Sequence, residues 1–261
     1  MRWIEGLAAL ALAVAPVCAA SAQDVMRGLD LTSPDMTTAE MTRAQVEAAL
    51  KAAPGGRAAD FSGKRLSGLD LSGLDLSGAN LRAARLNHAN LSYAKLDGAT
   101  LDQAWALDVN LTGASLVKAS LFATQMQGAR LDGANLIRAR VTADLTGAHL
   151  VGARFEDADC SADEKNQSMG LMRATFKSAD LSRADLSRAN LARADLRFAK
   201  LSGANFAGAS LREADASGAD LRGALLQGAD TLGLDVDSAR IDSASAPLLA
   251  KATNLDRATR E

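Results

Sequence analysis

The residues with a capacity for chemistry are few. The chain holds two histidines, His88 and His149, and two cysteines, Cys18 and Cys160. A metal site or an acid–base centre needs several such groups converging, yet neither histidine has a cysteine or a second histidine nearby in sequence. No residue is therefore assigned a catalytic, cofactor-binding or metal-ligating role. The glycines of GLDLSGLDLSG fall at a spacing of five, not at that of a dinucleotide fingerprint. The densest polar run is SADEKNQSMG, residues 161–170, whose Asp163, Glu164, Lys165 and Asn166 make a candidate protein-contact loop. With Asp157 and Asp159 its acids could recruit a cation, although an ordered calcium loop carries a denser ligand pattern; a solvated bulge is the plainer reading. The second candidate is Trp105, beside the small Ala106. Either it is exposed and anchors a partner, or it folds inward to fill the space that Ala106 leaves.

The elements that position these residues follow a period of five. An amphipathic helix repeats near 3.6 residues and a strand alternates at 2, so ADLSRADLSRANLARADLRFAKLSGANF fits neither. Large apolar residues, the centres, recur from Phe61 to Leu101, resume at Leu111 and run to Val141. One residue is then lost before Leu145, and the pattern continues to Cys160, which occupies a centre and reads as a buried thiol. After 161–170 the centres return from Leu171 to Leu226 and fade through Thr231, Val236 and Ile241. Ala precedes most centres by two residues; Lys64, Leu69, Leu74, Val109 and Thr124 are exceptions. Aromatics are 3% of a chain that is 48% hydrophobic, so the core must be built from Leu and Ala. Such a core should be thin and regular.

This pattern, A-[D/N]-L-x-x over residues 59 to 241, resembles the pentapeptide-repeat family. The resemblance implies an all-β fold, a right-handed quadrilateral parallel β-helix in which four pentapeptides form one coil. Residue i then meets i+20. Asp180, Lys200 and Asp220 should form a column of alternating charge, Asn90 should lie over Asn110, and Asp75 beneath Lys95. Arg183, Arg188 and Arg193 fall on different sides and make no common patch.

The ends read differently. MRWIEGLAALALAVAPVCAASAQ has a basic start, an apolar run and a small-x-small site, which predicts a signal peptide over 1–22 cleaved after Ala22. Cys18 follows Val17, a poor context for lipid attachment. Residues 23–57 contain an N-terminal capping α-helix expected over Thr38–Ala53, with Thr37 and Glu40 as its capping box and Pro54, Gly55 and Gly56 as its stop. Repeats over 58–160 and 171–242 flank the interruption, and 243–261 form a C-terminal cap or tail. The resemblance also implies a possible homodimer through that tail.

Function follows from these properties. A net charge of −2 gives no field that attracts nucleic acid or imitates it. After the leader, no stretch is long and apolar enough for a membrane span. The chain reads as a non-enzymatic, periplasmic or secreted scaffold that binds an unidentified envelope protein. The resemblance implies an alternative: some cytoplasmic members mimic DNA and protect gyrase from quinolones, a role open to this chain if it is not exported.

Overall fold

The computed structural model describes residues 30–53, 58–163 and 172–261. The leader over 1–22, the helix stop at Pro54, Gly55 and Gly56, the contact residues Glu164, Lys165 and Asn166, and the centre Leu171 lie outside the described residues.

The chain stacks on itself coil upon coil: Asp60 bridges Asn80, Arg65 bridges Arg85, Asp70 bridges Asn90 and Asp75 bridges Lys95, all in parallel. Each coil thus has four bridged positions. We call the sides they mark first to fourth, after Asp60, Arg65, Asp70 and Asp75. Bridged residues lie between an inward Ala and an inward centre. Ala79, Leu81, Ala84 and Leu86 are fully buried, and the same alternation runs to Val236 and Ile241.

The hydrogen-bond pattern explains the pentapeptide residue by residue. In the first repeat Phe61 N–H donates to Asn80 C=O at 2.7 Å and Gly63 N–H to Arg82 C=O at 2.8 Å, both one coil onward. Asn80 N–H donates back to Ala59 C=O at 2.9 Å, and Lys64 N–H closes the turn onto Phe61 C=O at 3.1 Å. One donor of the five is left, that of Ser62, and a main-chain N–H without an acceptor costs stability wherever water cannot replace it. Asp60 Oδ1 accepts it at 3.0 Å. That is the physical reason for Asp or Asn before the centre, the side chain bonding its own turn two residues on. Where this position is not Asp or Asn, an acid or amide one coil back can substitute. Asn87 accepts from Leu107 N–H at 3.0 Å, Asp97 from Val117 N–H at 3.0 Å, Asp102 from Phe122 N–H at 3.0 Å and Asp132 from Val151 N–H at 3.1 Å.

The turn's third residue has positive φ, as at Gly133 (+64°), but Ala83, Tyr93, Arg188 and Phe198 hold the same conformation. Such a turn is type II in character.

Two exceptions to the Ala rule are buried. Val109 is apolar, and Thr124 donates its hydroxyl to Leu101 C=O at 2.9 Å, which satisfies its polar atom. Cys160 is fully buried, and burial pushes its thiol pKa up, so the sulfur stays protonated and unreactive.

The N-terminal segment differs from expectation in its start. A short helix α1 spans Pro34–Thr37, and the longer α2 spans Arg43–Ala52. The capping box is Thr42 with Gln45, not Thr37 with Glu40, and Thr37 instead donates its hydroxyl to Ser33 C=O. Glu40 is drawn to the solenoid: its N–H donates to Arg65 C=O at 2.9 Å and its carboxylate pairs with Lys64 at 3.0 Å. Arg43 reaches the carbonyls of Asp70 and Ser72 at 3.0 Å each. Met36 and Val46 are buried, Val46 within the solenoid's own core.

At the other end the strand β1, Arg240–Ile241, leads into a 3-10 helix, Ser243–Leu249, that buries Leu249. The chain then returns as β2, Thr259–Arg260, parallel to β1. Thr253 also bridges Asp235, so the tail adds a partial coil.

The substitute acceptors make a specific expectation. Asp97 also accepts the Ser115 hydroxyl, so Asp97→Ala should cost about 1–3 kcal/mol in urea unfolding and Asp97→Asn distinctly less, because the amide keeps an acceptor oxygen.

Candidate binding surface

The outward columns are largely self-paired. Lys200 sits 3.3 Å from Asp180, and Arg240 lies 3.8 Å from Asp220 on the same third side. Asn110 donates to Asn90 at 3.1 Å, and Lys95 lies 3.9 Å from Asp75. Arg188 pairs with Asp157 at 2.8 Å and holds its carboxyl below the usual range, while Arg193 pairs with Glu213 at 2.8 Å. These arginines are taken up on separate edges and form no common cationic patch.

The two breaks in the sequence pattern meet at one place. Gln125 bridges Asp144 across a coil one residue short, and Asp144 bridges Thr175 across the coil that the interruption lengthens. The lost residue and the interruption therefore stack on adjacent coils at the same corner, between the first and second sides. Inside, Phe155 and Phe176 pack edge to face with ring centroids 6.0 Å apart. Large rings thus fill the core where the coils change length.

The insertion is tied down at its root. Asp163 N–H donates to Met172 C=O at 2.7 Å in an antiparallel bridge. Arg140 holds Asp163 at 2.9 Å, and this carboxylate side chain is only 7% exposed. The same guanidinium lies over the Phe122 ring, 4.7 Å from its centroid, a cation–π contact. On the other strand Arg173 reaches Asp195 at 3.3 Å. Beside the root runs a polar cleft of about 660 Å³ lined by Thr142, Ser161, Asn190, Arg193, Arg212 and Glu213 among others.

Asp163 thus belongs to the root of this cleft. Trp105 does not: it occupies the second side three coils earlier, bridged to Arg85 below and Gln125 above. Its neighbours Ala104 and Ala106 are buried, so Trp105 stays outward and is half-buried rather than folded into the core. Among the described residues the most exposed aromatics are Tyr93 (71%) and Phe198 (58%). Each lies against the glycine one coil on, Gly113 and Gly218, where an added Cβ would come within 2.6 Å of the ring. Both stand two residues after a centre, an outward position that counting along the repeat identifies.

His88 lies 3.8 Å from Asp108 and is exposed, as is His149. Among the described residues no group of three or more His, Cys, Asp or Glu is placed to hold a metal ion, and no helix is long and apolar enough to cross a membrane.

A parallel stack of coils around a Leu/Ala core defines a repeat solenoid. The family model for pentapeptide repeats matches residues 65–103, 108–142, 171–206 and 189–228 in eight copies, and the chain belongs to the pentapeptide-repeat family. Solved structures similar to it include HetL of the cyanobacterium Nostoc sp. strain PCC 7120, involved in heterocyst differentiation regulation. HetL is 28% identical, with 76% of this chain and 98% of HetL covered at a TM-score of 0.37. QnrB1, a plasmid-mediated fluoroquinolone resistance protein, is 18% identical, with 69% of this chain and 92% of QnrB1 covered at a TM-score of 0.56. A pentapeptide repeat protein of the Arabidopsis thaliana thylakoid lumen is 22% identical, covering 78% and 86% at a TM-score of 0.23. No curated protein matches the chain. At so low an identity the likeness to QnrB1 speaks to fold alone.

Acid should loosen the C-terminal coil. Arg222, hydrogen-bonded to Asp220 at 2.6 Å, lowers the Asp220 pKa to about 2, and Arg240 and Arg222 lower that of Glu261. A depressed carboxyl stabilises the fold above its unfolded pKa, and that contribution is lost as pH falls through the folded value. Hydrogen exchange between pH 4 and 2 should therefore show β2 releasing progressively. Asp220→Asn should flatten that dependence.

Proposed function

We propose that the chain is a non-enzymatic scaffold of the bacterial cell envelope, exported by the leader over 1–22, that binds a protein partner at the corner where its repeats are interrupted. The observation that carries this reading is the coincidence of the two breaks. Most of the surface is regular, and most of its charges are matched by neighbours in the stack. The corner at Arg140 and Asp163 departs from that regularity and offers a cleft beside a rooted insertion. Rigid scaffolds commonly carry binding function on such departures. In this reading the coils are right-handed and four-sided, and the insertion, with Glu164, Lys165 and Asn166, supplies the contact. Trp105 is a secondary contact on the second side.

Membership of the pentapeptide-repeat family keeps DNA mimicry toward a type II topoisomerase as the alternative, for an unexported chain. The surface argues against it, because DNA mimicry needs rows of unpaired carboxylates and most here are held by arginine or by turn amides.

Fractionation of the native cell, mass spectrometry of the N-terminus and crosslinking test both. The expected result is a periplasmic chain starting at Gln23 with one envelope protein crosslinked near residues 161–170. A cytoplasmic, uncleaved chain crosslinked to a topoisomerase would overturn the proposal.

A further inference from the structure

The four sides differ in how they distribute charge. On the first, third and fourth sides positive and negative residues are interspersed along the bridged positions. The second side separates them. It begins with Arg65 and Arg85, passes through Trp105 and Gln125, and ends with Asp195, Asp215 and Asp235. These three aspartates are directly bridged neighbours, an arrangement that costs stability unless something else is gained.

Local pairing offsets part of this polarity and leaves the order of the charges along the side in place. Arg65 is occupied by Asp35 at 2.6 Å and by Glu40 at 3.5 Å, and Asp195 by Arg197 and Arg173. Arg85 makes no side-chain hydrogen bond or ion pair among the described residues, and its charge reaches Glu40 only at longer range. At the far end Asp235 has no cationic partner among them, and Asp215 is approached by Arg197 only at 3.6 Å. Among the described residues, one end of this side therefore presents Arg85 without a direct partner, and the other end presents three successive carboxylates, of which Asp235 has no cationic partner and Asp215 shares Arg197 with Asp195.

We propose that the second side is a self-association surface, on which a second copy of this chain packs antiparallel about a two-fold axis near Asp144. The occupant follows from charge complementarity: an antiparallel copy places the basic end of each rod on the acidic end of the other, whereas a parallel copy in register places like on like. With the axis near Asp144, Arg85 of each copy faces Asp215 of the other. The outward apolar groups meet as well. Trp105 and Leu107 lie two coils before Asp144, and Phe198, on the same edge as Leu107, lies two coils after it. An antiparallel copy brings each set onto the other twice. Asp144 meets its own equivalent at the axis, but its carboxylate is turned into its own rod, accepting from Thr146 at 3.0 and 2.6 Å and from Gln127 at 2.8 Å. The interface is isologous and closes at two copies. It does not depend on export or on the cleft; it shares with the envelope reading only Trp105, which it assigns to the second copy.

Sedimentation equilibrium of the full chain at low ionic strength tests it, with folding of each variant checked by circular dichroism. The expected result is a monomer–dimer equilibrium weakened by salt, in which Arg85→Glu and Asp215→Arg each raise the dissociation constant at least tenfold. The double exchange Arg85→Glu with Asp215→Arg should restore most of the affinity. Lys95→Glu on the fourth side should leave it unchanged. A monomer at every concentration, an open-ended series of larger species, or a dimer indifferent to both single reversals would overturn the proposal.

Discussion

Everything in this molecule depends on the parallel hydrogen bond between a centre and the residue one coil onward, such as Phe61 N–H to Asn80 C=O at 2.7 Å. That bond fixes the length of the coil, because the donor and acceptor rows of successive coils meet only if each coil returns the chain to the same place. The spacing of neighbouring strands, about 4.8 Å, then sets the distance at which every outward residue meets its counterpart. The Ala before most centres is a consequence of closing a short coil around a narrow core, and the positive-φ turn and the Asp or Asn that accepts the turn amide are consequences of closing it without leaving a donor unpaired.

The same constraint explains the irregular corner. A residue deleted from one coil or added to the next would shift every later bridge if the chain had to absorb it within a side. Placed at a corner, both changes leave the sides in register: Arg140 bridges Asp159, and Asp159 bridges Asn190, while Asp144 bridges Thr175. The Asp163–Met172 bridge closes the insertion at its base, and Arg140 and Arg173 fasten it to the coils on either side. A site with its own shape is thus added to a rod whose surface is otherwise repetitive.

Much of this was legible in the sequence. The five-residue period gave the centres and the Ala two residues before most of them; the resemblance to pentapeptide repeats, with four to a coil, implied the inward Ala and the columns that pair Asp180 with Lys200 and Asn110 with Asn90. The helix start was misplaced because Thr37–Glu40 and Thr42–Gln45 both satisfy the capping pattern, and what decides between them is non-local: Glu40 is engaged by Arg65 and Lys64. That the two breaks share a corner was not read from the sequence either, although counting coils from Val141 and Cys160 would have shown it. The turn amides held from the coil below, as by Asp97 and Asp102, follow no local pattern and needed the structure.

The solenoid continues unbroken across the interruption. Residue-resolved hydrogen exchange tests it at Leu145, Leu150 and Phe155, whose amides donate across the break to Thr175, Asp180 and Asp185 at 2.7, 2.7 and 2.6 Å. A continuous stack predicts protection equal to that of Leu86, Leu91 and Leu96 in the uninterrupted coils. Fast exchange at those three amides, with Leu86, Leu91 and Leu96 still protected, would instead mean two separate stacks joined by a loop.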